Sequence, residues 1–457
     1  MKQYDVAVIG GGPAGYVAAI KAAQLGGSVV IFEKNAVGGT CLNRGCIPTK
    51  TYLKTAEYIH HINNAGKRGI MLSSPEYSVD MDTVVAGKNS VVKKLTSGVA
   101  GLLSANKVTT VNGLATLTSD GKVECGDAVY DAKKIILCGG SSAGMLPISG
   151  LENNPHVLTS DGILDMNALP KRLAVIGGGV IGCELATAFA AFGSEVTIIE
   201  LTNRLLPAMD TEISTALKQA LEKQGVKVLL ERKVTKVDGG SLYLGGEAEP
   251  VFADKILLSV GRYADLECLG KMHERIKIER GNVVVDEMMQ TNISNIFAAG
   301  DITGLSMLAH AAFKMGEVAA ANAMGHKELC DLTKIPGCLY TLPEAASVGL
   351  TEEEAHKQHD VAIGKFPFGA NGRALASGEA EGFVKVVMDK KYGELLGVHI
   401  FGGAATEMIA EPTVLMAMEI TAHEVADTVH AHPTYSEAIM EACADALGRC
   451  IHLPPRH

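Results

Sequence analysis

The sequence predicts an α/β fold with two copies of one β-α-β unit and a separate C-terminal α+β segment. Three observations predict it. A β-branched run at 6–9 ends in Gly10-Gly11-Gly12-Pro13-Ala14-Gly15, a small-residue helix is expected over 16–25, and a second strand at 29–32 closes on Glu33. The same order returns at 173–176, Gly177-Gly178-Gly179-Val180-Ile181-Gly182, a helix to 192, a strand at 196–199 and Glu200. Beyond Pro336 the texture changes to strand-like segments such as 383–388 and then helices over 406–420 and 437–447.

The repeat is the strongest signal, because 23 residues separate Gly10 from Glu33 and 23 separate Gly177 from Glu200. A single G-x-G-x-x-G is common. Two copies, each between a strand and a helix and each followed by a carboxylate, mark two Rossmann-like dinucleotide-binding units. In each, the first glycine (Gly10, Gly177) allows the tight turn. The second (Gly12, Gly179) lets backbone N–H groups approach a pyrophosphate, and the third (Gly15, Gly182) packs helix on strand. Glu33 and Glu200 are placed to accept from a ribose 2′-OH.

The elements between the units follow in order. A glycine-rich loop and a helix are expected over 36–58, a long amphipathic helix over 88–105, and short antiparallel strands over 108–129. Buried strands follow at 135–138, 256–260 and 296–299. The divisions are 1–145, 146–265, 266–335 (completing the first site) and 336–457.

Composition excludes several function classes. Aromatics are 5% with no Trp, which leaves no stacking surface for single-stranded nucleic acid. A net charge of −10 opposes binding of phosphate backbones. No run of 18 apolar residues is present, so no membrane-spanning helix is expected. Ten cysteines without a secretory signal point to reduced thiols in a cytoplasmic setting, where any disulfide is catalytic or regulatory.

The stretch Gly38-Gly39-Thr40-Cys41-Leu42-Asn43-Arg44-Gly45-Cys46-Ile47-Pro48-Thr49-Lys50 carries the most chemistry. A Cys41–Cys46 disulfide closes so short a loop that it stabilises by only about 2 kcal/mol, a poor staple and a good redox switch. Cys46 is expected at a helix N-terminus, where the dipole favours a thiolate. Lys50 falls one turn along on the same face, and Arg44 adds positive charge in the loop. Two free core cysteines, or half of a zinc site lacking its second cluster, are the alternatives.

His432-Pro433-Thr434-Tyr435-Ser436-Glu437 stands out among the 14 histidines. Pro433 favours an extended His432 before a helix, and Glu437 can orient the imidazole for proton exchange. Thr434-x-x-Glu437 also reads as a capping box, a use partly exclusive of the first. His60-His61 reads as a solvated helix face and His310 as lying within a helix. Cys443, Cys450 and His452 read as terminal packing in preference to a metal site, so no metal is expected.

These blocks, with 291–301 and 340–349, resemble the flavin-dependent pyridine nucleotide–disulfide oxidoreductases through nearly the whole chain, specifically the dihydrolipoamide-oxidising branch. The resemblance implies FAD at Gly10, Gly12, Gly15, Glu33, Lys50 and Asp301, and NAD at Gly177, Gly179, Gly182, Glu200 and Gly261. Glu184 is implied near the flavin–nicotinamide contact, facing Lys50. It further implies a homodimer joined through residues past 336, with His432 and Glu437 reaching the Cys41–Cys46 pair of the opposite subunit. Cys41 is then the interchange thiol and Cys46 the flavin-facing one. The implied reaction oxidises protein-bound dihydrolipoamide and reduces NAD⁺. Its lipoyl carrier is a separate chain, a 2-oxoacid dehydrogenase E2 or a glycine-cleavage H protein.

Glu200 disfavours the 2′-phosphate of NADP, which ranks a glutathione-reductase-like enzyme second, although Arg204 lies close by. An NADH oxidase or diaphorase, and a non-enzymatic scaffold subunit, are the remaining alternatives. Cys138-Gly139-Gly140-Ser141 departs from the usual Ala-Thr-Gly-Ser of the family and puts one backbone contact of the FAD site in question.

Overall fold

The computed structural model describes residues 3–74, 76–246 and 249–455. Strand β1 (Gln3–Ile9) leads through the glycine turn into helix α1 (Pro13–Gln24) and strand β2 (Val29–Glu33). α1 starts at Pro13, earlier than expected, because proline's fixed φ and missing N–H suit a first helical position. Helices α2 (Gly39–Arg44), α3 (Cys46–Asn64) and α4 (Met81–Ala105) follow, then strands β3 (Thr109–Asn112) and β4 (Ala128–Leu137). α2 occupies what the sequence presents as loop. α4 also begins before residue 88, since the Asp80 carboxylate accepts the Asp82 N–H and caps it there.

The order β3-β2-β1-β4 is parallel throughout, and Ile296–Ala298 adds a further parallel strand beside β4. Residues 109–112 therefore depart from the antiparallel expectation. The chain reaches them through α4, and a helical crossover returns it parallel to β2. The antiparallel pairing is carried by Ala115–Leu117, Val123–Cys125 and the start of β4 at Ala128–Tyr130.

The second unit repeats this plan with β5 (Arg172–Ile176), α5 (Val180–Phe192), β6 (Glu195–Ile199), α6 (Thr211–Lys223), β7 (Lys227–Leu229) and β8 (Lys255–Leu258). Its parallel sheet runs β7-β6-β5-β8, with Val157–Leu158 at the edge. Helix α7 (Ala309–Ala323) packs on α1 through small side chains and contains His310, whose Nε2 lies 2.8 Å from the Pro336 carbonyl.

The C-terminal segment is an antiparallel sheet of β9 (Gly337–Leu339), β10 (Ala345–Gly349), β11 (Val361–Pro367), β12 (Phe383–Asp389) and β13 (Leu395–Phe401), ordered β9-β10-β13-β12-β11. The helix expected over 406–420 is broken into Ala405–Met408 and Ala410–Ala417. Pro412 has no N–H to continue the ladder back to Met408, which accounts for the break. Helix α8 (Glu437–Ala446) packs on β11 and β12.

Two contacts join these parts. Tyr52 of α3 is fully buried against Phe189 and Phe192 of α5, ring centroids 6.3 and 5.7 Å away, and its hydroxyl donates to Leu164 O at 2.8 Å. Burying such a ring contributes about 2–3 kcal/mol and fixes α3 against the second unit. At the other seam, β12 buries Lys385. Its ammonium lies 3.1 Å from both oxygens of Asp210, the N-cap of α6, and also pairs with Glu212 and Glu352.

Candidate active site

Both glycine turns carry the same polar bonds. Glu33 accepts the Gly11 N–H at 2.7 Å and the Asn35 N–H at 2.8 Å. Glu200 accepts the Gly178 N–H at 2.6 Å and the Thr202 N–H at 2.8 Å. Each carboxylate is thereby held nearly buried at its strand end with acceptor capacity left for a ribose hydroxyl.

The glycines divide into two kinds. A Cβ on Gly10 would meet the Cys138 carbonyl at 2.1 Å, and one on Gly15 the Gly10 carbonyl at 1.8 Å, so the protein's own packing demands glycine at both. Gly12 and Gly179 differ. Their φ values are −70° and −78°, ordinary for any residue, and a Cβ would meet only Gly39 Cα at 3.8 Å in one case and nothing within 4 Å in the other. Neither helix start has a side-chain cap. Bare backbone facing open space at a helix N-terminus fits a pyrophosphate, and the residues present fit a dinucleotide at each turn.

Gly261 also faces open space at φ +106°. Next to it, Arg262 donates through Nε to Ser141 Oγ at 2.8 Å, and Ser141 donates in turn to Asp301 Oδ2. The unusual Cys138 is buried beneath the first turn, and the serine that ends its motif holds Asp301.

Cys46 opens α3, and Lys50 stands one turn further along the same helix. The two cysteines are free thiols joined by a side-chain hydrogen bond. That bond holds the Cys46 thiol at about 7, with Lys50 assisting against the burial that opposes it. The same bond, together with burial, drives Cys41 upward, so Cys46 is the thiolate and Cys41 keeps its proton. Arg44 does not act as expected: its side chain turns to Asp161 at 3.3 Å, and Lys50 is the cation serving Cys46. After reduction, iodoacetamide trapping of Cys46 is expected to be half-maximal near pH 7 and to slow below it. Lys50→Met moves that midpoint upward, and an unchanged midpoint in the variant would show that Lys50 does not act on Cys46.

Lys50 Nζ lies 2.9 Å from both Glu184 oxygens, on the buried start of α5, and 4.4 Å above the Tyr340 ring. The Tyr340 N–H donates to Glu184 Oε1 at 3.0 Å. Tyr340 therefore braces both members of the ion pair, a role its sequence neighbourhood did not disclose because its partners lie far away in the chain.

His432 and Glu437 lie on the C-terminal segment. The His432 ring is 76% exposed, with Nδ1 2.8 Å from Glu437 Oε1. A carboxylate only accepts, so Nδ1 carries the proton and Nε2 presents its lone pair outward. Glu437 Oε2 meanwhile accepts the Thr434 N–H at 2.8 Å. The two uses of Glu437 are thus compatible: each oxygen takes one. The capping box itself is incomplete, since Thr434 Oγ1 donates to Ala431 O and the N-cap of α8 is Ser436.

Residues 4–316 match the pyridine nucleotide-disulphide oxidoreductase family, and residues 335–443 match its dimerisation domain. The chain belongs to this family. Among pyridine nucleotide-disulphide oxidoreductases, dihydrolipoyl dehydrogenase from Thermus scotoductus is 44% identical over 99% of both chains. The enzyme of that name from Bacillus subtilis is 41% identical over 98% of this chain and 99% of its own. The crystal structure of LpdA from Mycobacterium tuberculosis superposes with a TM-score of 0.89 at 25% identity, covering 96% of this chain and 99% of that one. The HOCl-induced flavoprotein disulfide reductase RclA from Escherichia coli gives 0.86 at 27% identity, covering 96% and 99%. The cofactors of this family are FAD and NAD. No helix among the described residues is long and apolar enough to cross a membrane, and no His, Cys, Asp and Glu cluster among them suits a metal ion.

Proposed function

We propose that the chain oxidises dihydrolipoamide to lipoamide and reduces NAD⁺ to NADH, working as a homodimer on a lipoyl-bearing carrier in the cytoplasm. Identity of 38–44% to dihydrolipoyl dehydrogenases over the whole length carries this reading. The Cys41–Cys46 pair supplies the matching chemistry. The first dinucleotide turn (Gly10, Gly12, Gly15, Glu33), with Lys50 and Asp301, would hold FAD. The second (Gly177, Gly179, Gly182, Glu200), with Gly261, would hold NAD. The divisions near 145, 265 and 335 belong to the same reading.

The carrier's dithiol meets the oxidised Cys41–Cys46 pair. His432 of the partner subunit, held by its Glu437, accepts a proton at Nε2 from one substrate thiol. The resulting thiolate attacks Cys41 Sγ, the Cys41–Cys46 bond breaks, and Cys46 leaves as a thiolate stabilised by the α3 N-terminus and Lys50. The second substrate sulfur gives up its proton and attacks the mixed disulfide. Lipoamide departs and Cys41 takes a proton, which yields the dithiol arrangement described above. FAD, when bound, supplies the two-electron chemistry that links this dithiol to NAD⁺. Glu184 keeps Lys50 aimed at Cys46.

The test is dihydrolipoamide-dependent reduction of NAD⁺ and, separately, NADP⁺. Rapid reduction of NAD⁺ and slow reduction of NADP⁺ are expected. His432→Gln is expected to lower the NAD⁺ rate by about 10²- to 10⁴-fold, the scale of a lost general base, while NADH oxidation by ferricyanide persists. A wild-type flavoprotein that oxidises NADH and ignores dihydrolipoamide would refute the substrate.

A further inference from the structure

Arg204 lies four residues past Glu200, in the loop that borders the second ribose site. The Thr202 hydroxyl lies 2.8 Å from both Glu200 Oε1 and the Arg204 carbonyl, so one hydroxyl separates the arginine backbone from the ribose carboxylate. A guanidinium at this strand end has the charge and fork geometry to grip a 2′-phosphate, and an arginine beside this carboxylate is what accommodates NADP in such folds. An unrestrained Arg204 would thus work against the exclusion that Glu200 provides.

It is not unrestrained. Arg204 Nη1 donates to Thr211 Oγ1 and to Glu353 at 3.2 and 3.4 Å, and Nη2 donates to Glu353 Oε2 at 3.4 Å and Pro207 O at 3.1 Å. The Thr211 hydroxyl donates to Glu353 Oε1 at 2.5 Å and closes the triangle. Glu353 belongs to the short helix Glu352–Ala355 of the C-terminal segment, 149 positions along the chain. That helix is anchored in turn, because the neighbouring Glu352 pairs with the buried Lys385.

We propose that Glu353 is a specificity-determining residue: by holding the Arg204 guanidinium against Thr211 and Pro207, it keeps a cation out of reach of a 2′-phosphate. The preference for NAD over NADP then depends on a carboxylate supplied by the C-terminal segment as well as on Glu200. This inference rests on the NAD assignment above. The Glu353 side chain is 56% exposed and makes no core contact, so its neutral isostere should fold. An exposed ion pair is weak, and without it the guanidinium keeps only its bonds to Thr211 and Pro207, which it can exchange for those of a phosphate.

The experiment uses the FAD-loaded dimer and measures dissociation constants for 2′,5′-ADP and 5′-ADP by calorimetry, with NADPH and NADH turnover alongside. Glu353→Gln is expected to tighten 2′,5′-ADP about ten-fold, in line with one gained charge-assisted contact, and to leave 5′-ADP unchanged. Adding Arg204→Gln is expected to cancel the gain. No tightening in Glu353→Gln would overturn the proposal and leave the NAD assignment standing. Tightening that survives the loss of Arg204 would also overturn it, because relief of charge alone would then explain the effect. A wild type that binds 2′,5′-ADP as tightly as 5′-ADP would overturn both the proposal and the NAD assignment.

Discussion

Cys46→Ser is expected to lower dihydrolipoamide-driven NAD⁺ reduction by at least about 10⁴-fold, the scale seen when an activated nucleophile is removed. Serine keeps the helix start but cannot form the disulfide, and its hydroxyl is not ionised near pH 7 as the Cys46 thiol is. NADH oxidation by ferricyanide should survive, since it needs no thiol. Cys41→Ser is expected to lose the dihydrolipoamide reaction equally and to behave differently towards alkylation. Its hydroxyl still donates to the Cys46 thiolate, so iodoacetamide trapping stays half-maximal close to pH 7. Substantial dihydrolipoamide turnover in either variant would remove the disulfide from the mechanism.

The second large effect is on stability. Lys385→Met should destabilise the fold by about 3–5 kcal/mol, because Asp210 would be left buried without its counter-charge. Both side chains are 2% exposed, so water cannot take the place of the missing partner. The double variant Lys385→Met, Asp210→Asn should recover much of the loss, as a neutral amide does not need the ammonium. Burial alone would lower the Lys385 pKa, but Glu352, Glu212 and Asp210 reverse this and raise it to about 12. Its contribution is therefore complete below its ordinary value near 10.5 and is lost as pH rises through about 12. For Asp210, burial pushes upward, His399 and Lys385 outweigh it, and the pKa is lowered. Its contribution is complete above its ordinary value of 3.8 and is lost as pH falls through the folded value. Urea unfolding should show a constant difference between wild type and Lys385→Met from neutral pH to about pH 10, narrowing above that as Lys385 loses its proton and on the acid side as Asp210, raised by burial in the variant, gains one. A difference below about 1 kcal/mol at pH 7 would mean that the cluster is solvated.

Features written in short stretches of chain were legible in the sequence. The two turns with Glu33 and Glu200, the helix opening at Cys46 and the placing of Lys50 on its face all follow from spacings of fewer than 25 residues. Glycine, proline and helical period constrain the backbone locally, whatever the rest of the molecule does. Local signals with two outcomes were not legible in this way. Arg44 had the charge to serve Cys46, but a carboxylate on a distant segment took it. Glu437 read as either an orienter or a cap, and only its placed oxygens showed one satisfying His432 and the other Thr434.

What tertiary structure alone decided are contacts between residues with no pattern in common. The ring of Tyr340 beneath Lys50, Glu353 on Arg204, and Lys385 among Asp210, Glu212 and Glu352 bring together positions far apart in the chain. Composition and periodicity specify which faces must be buried. They do not specify which buried or half-buried charge finds which partner, because that choice is made when sheets and helices pack and desolvation penalises every charge left alone.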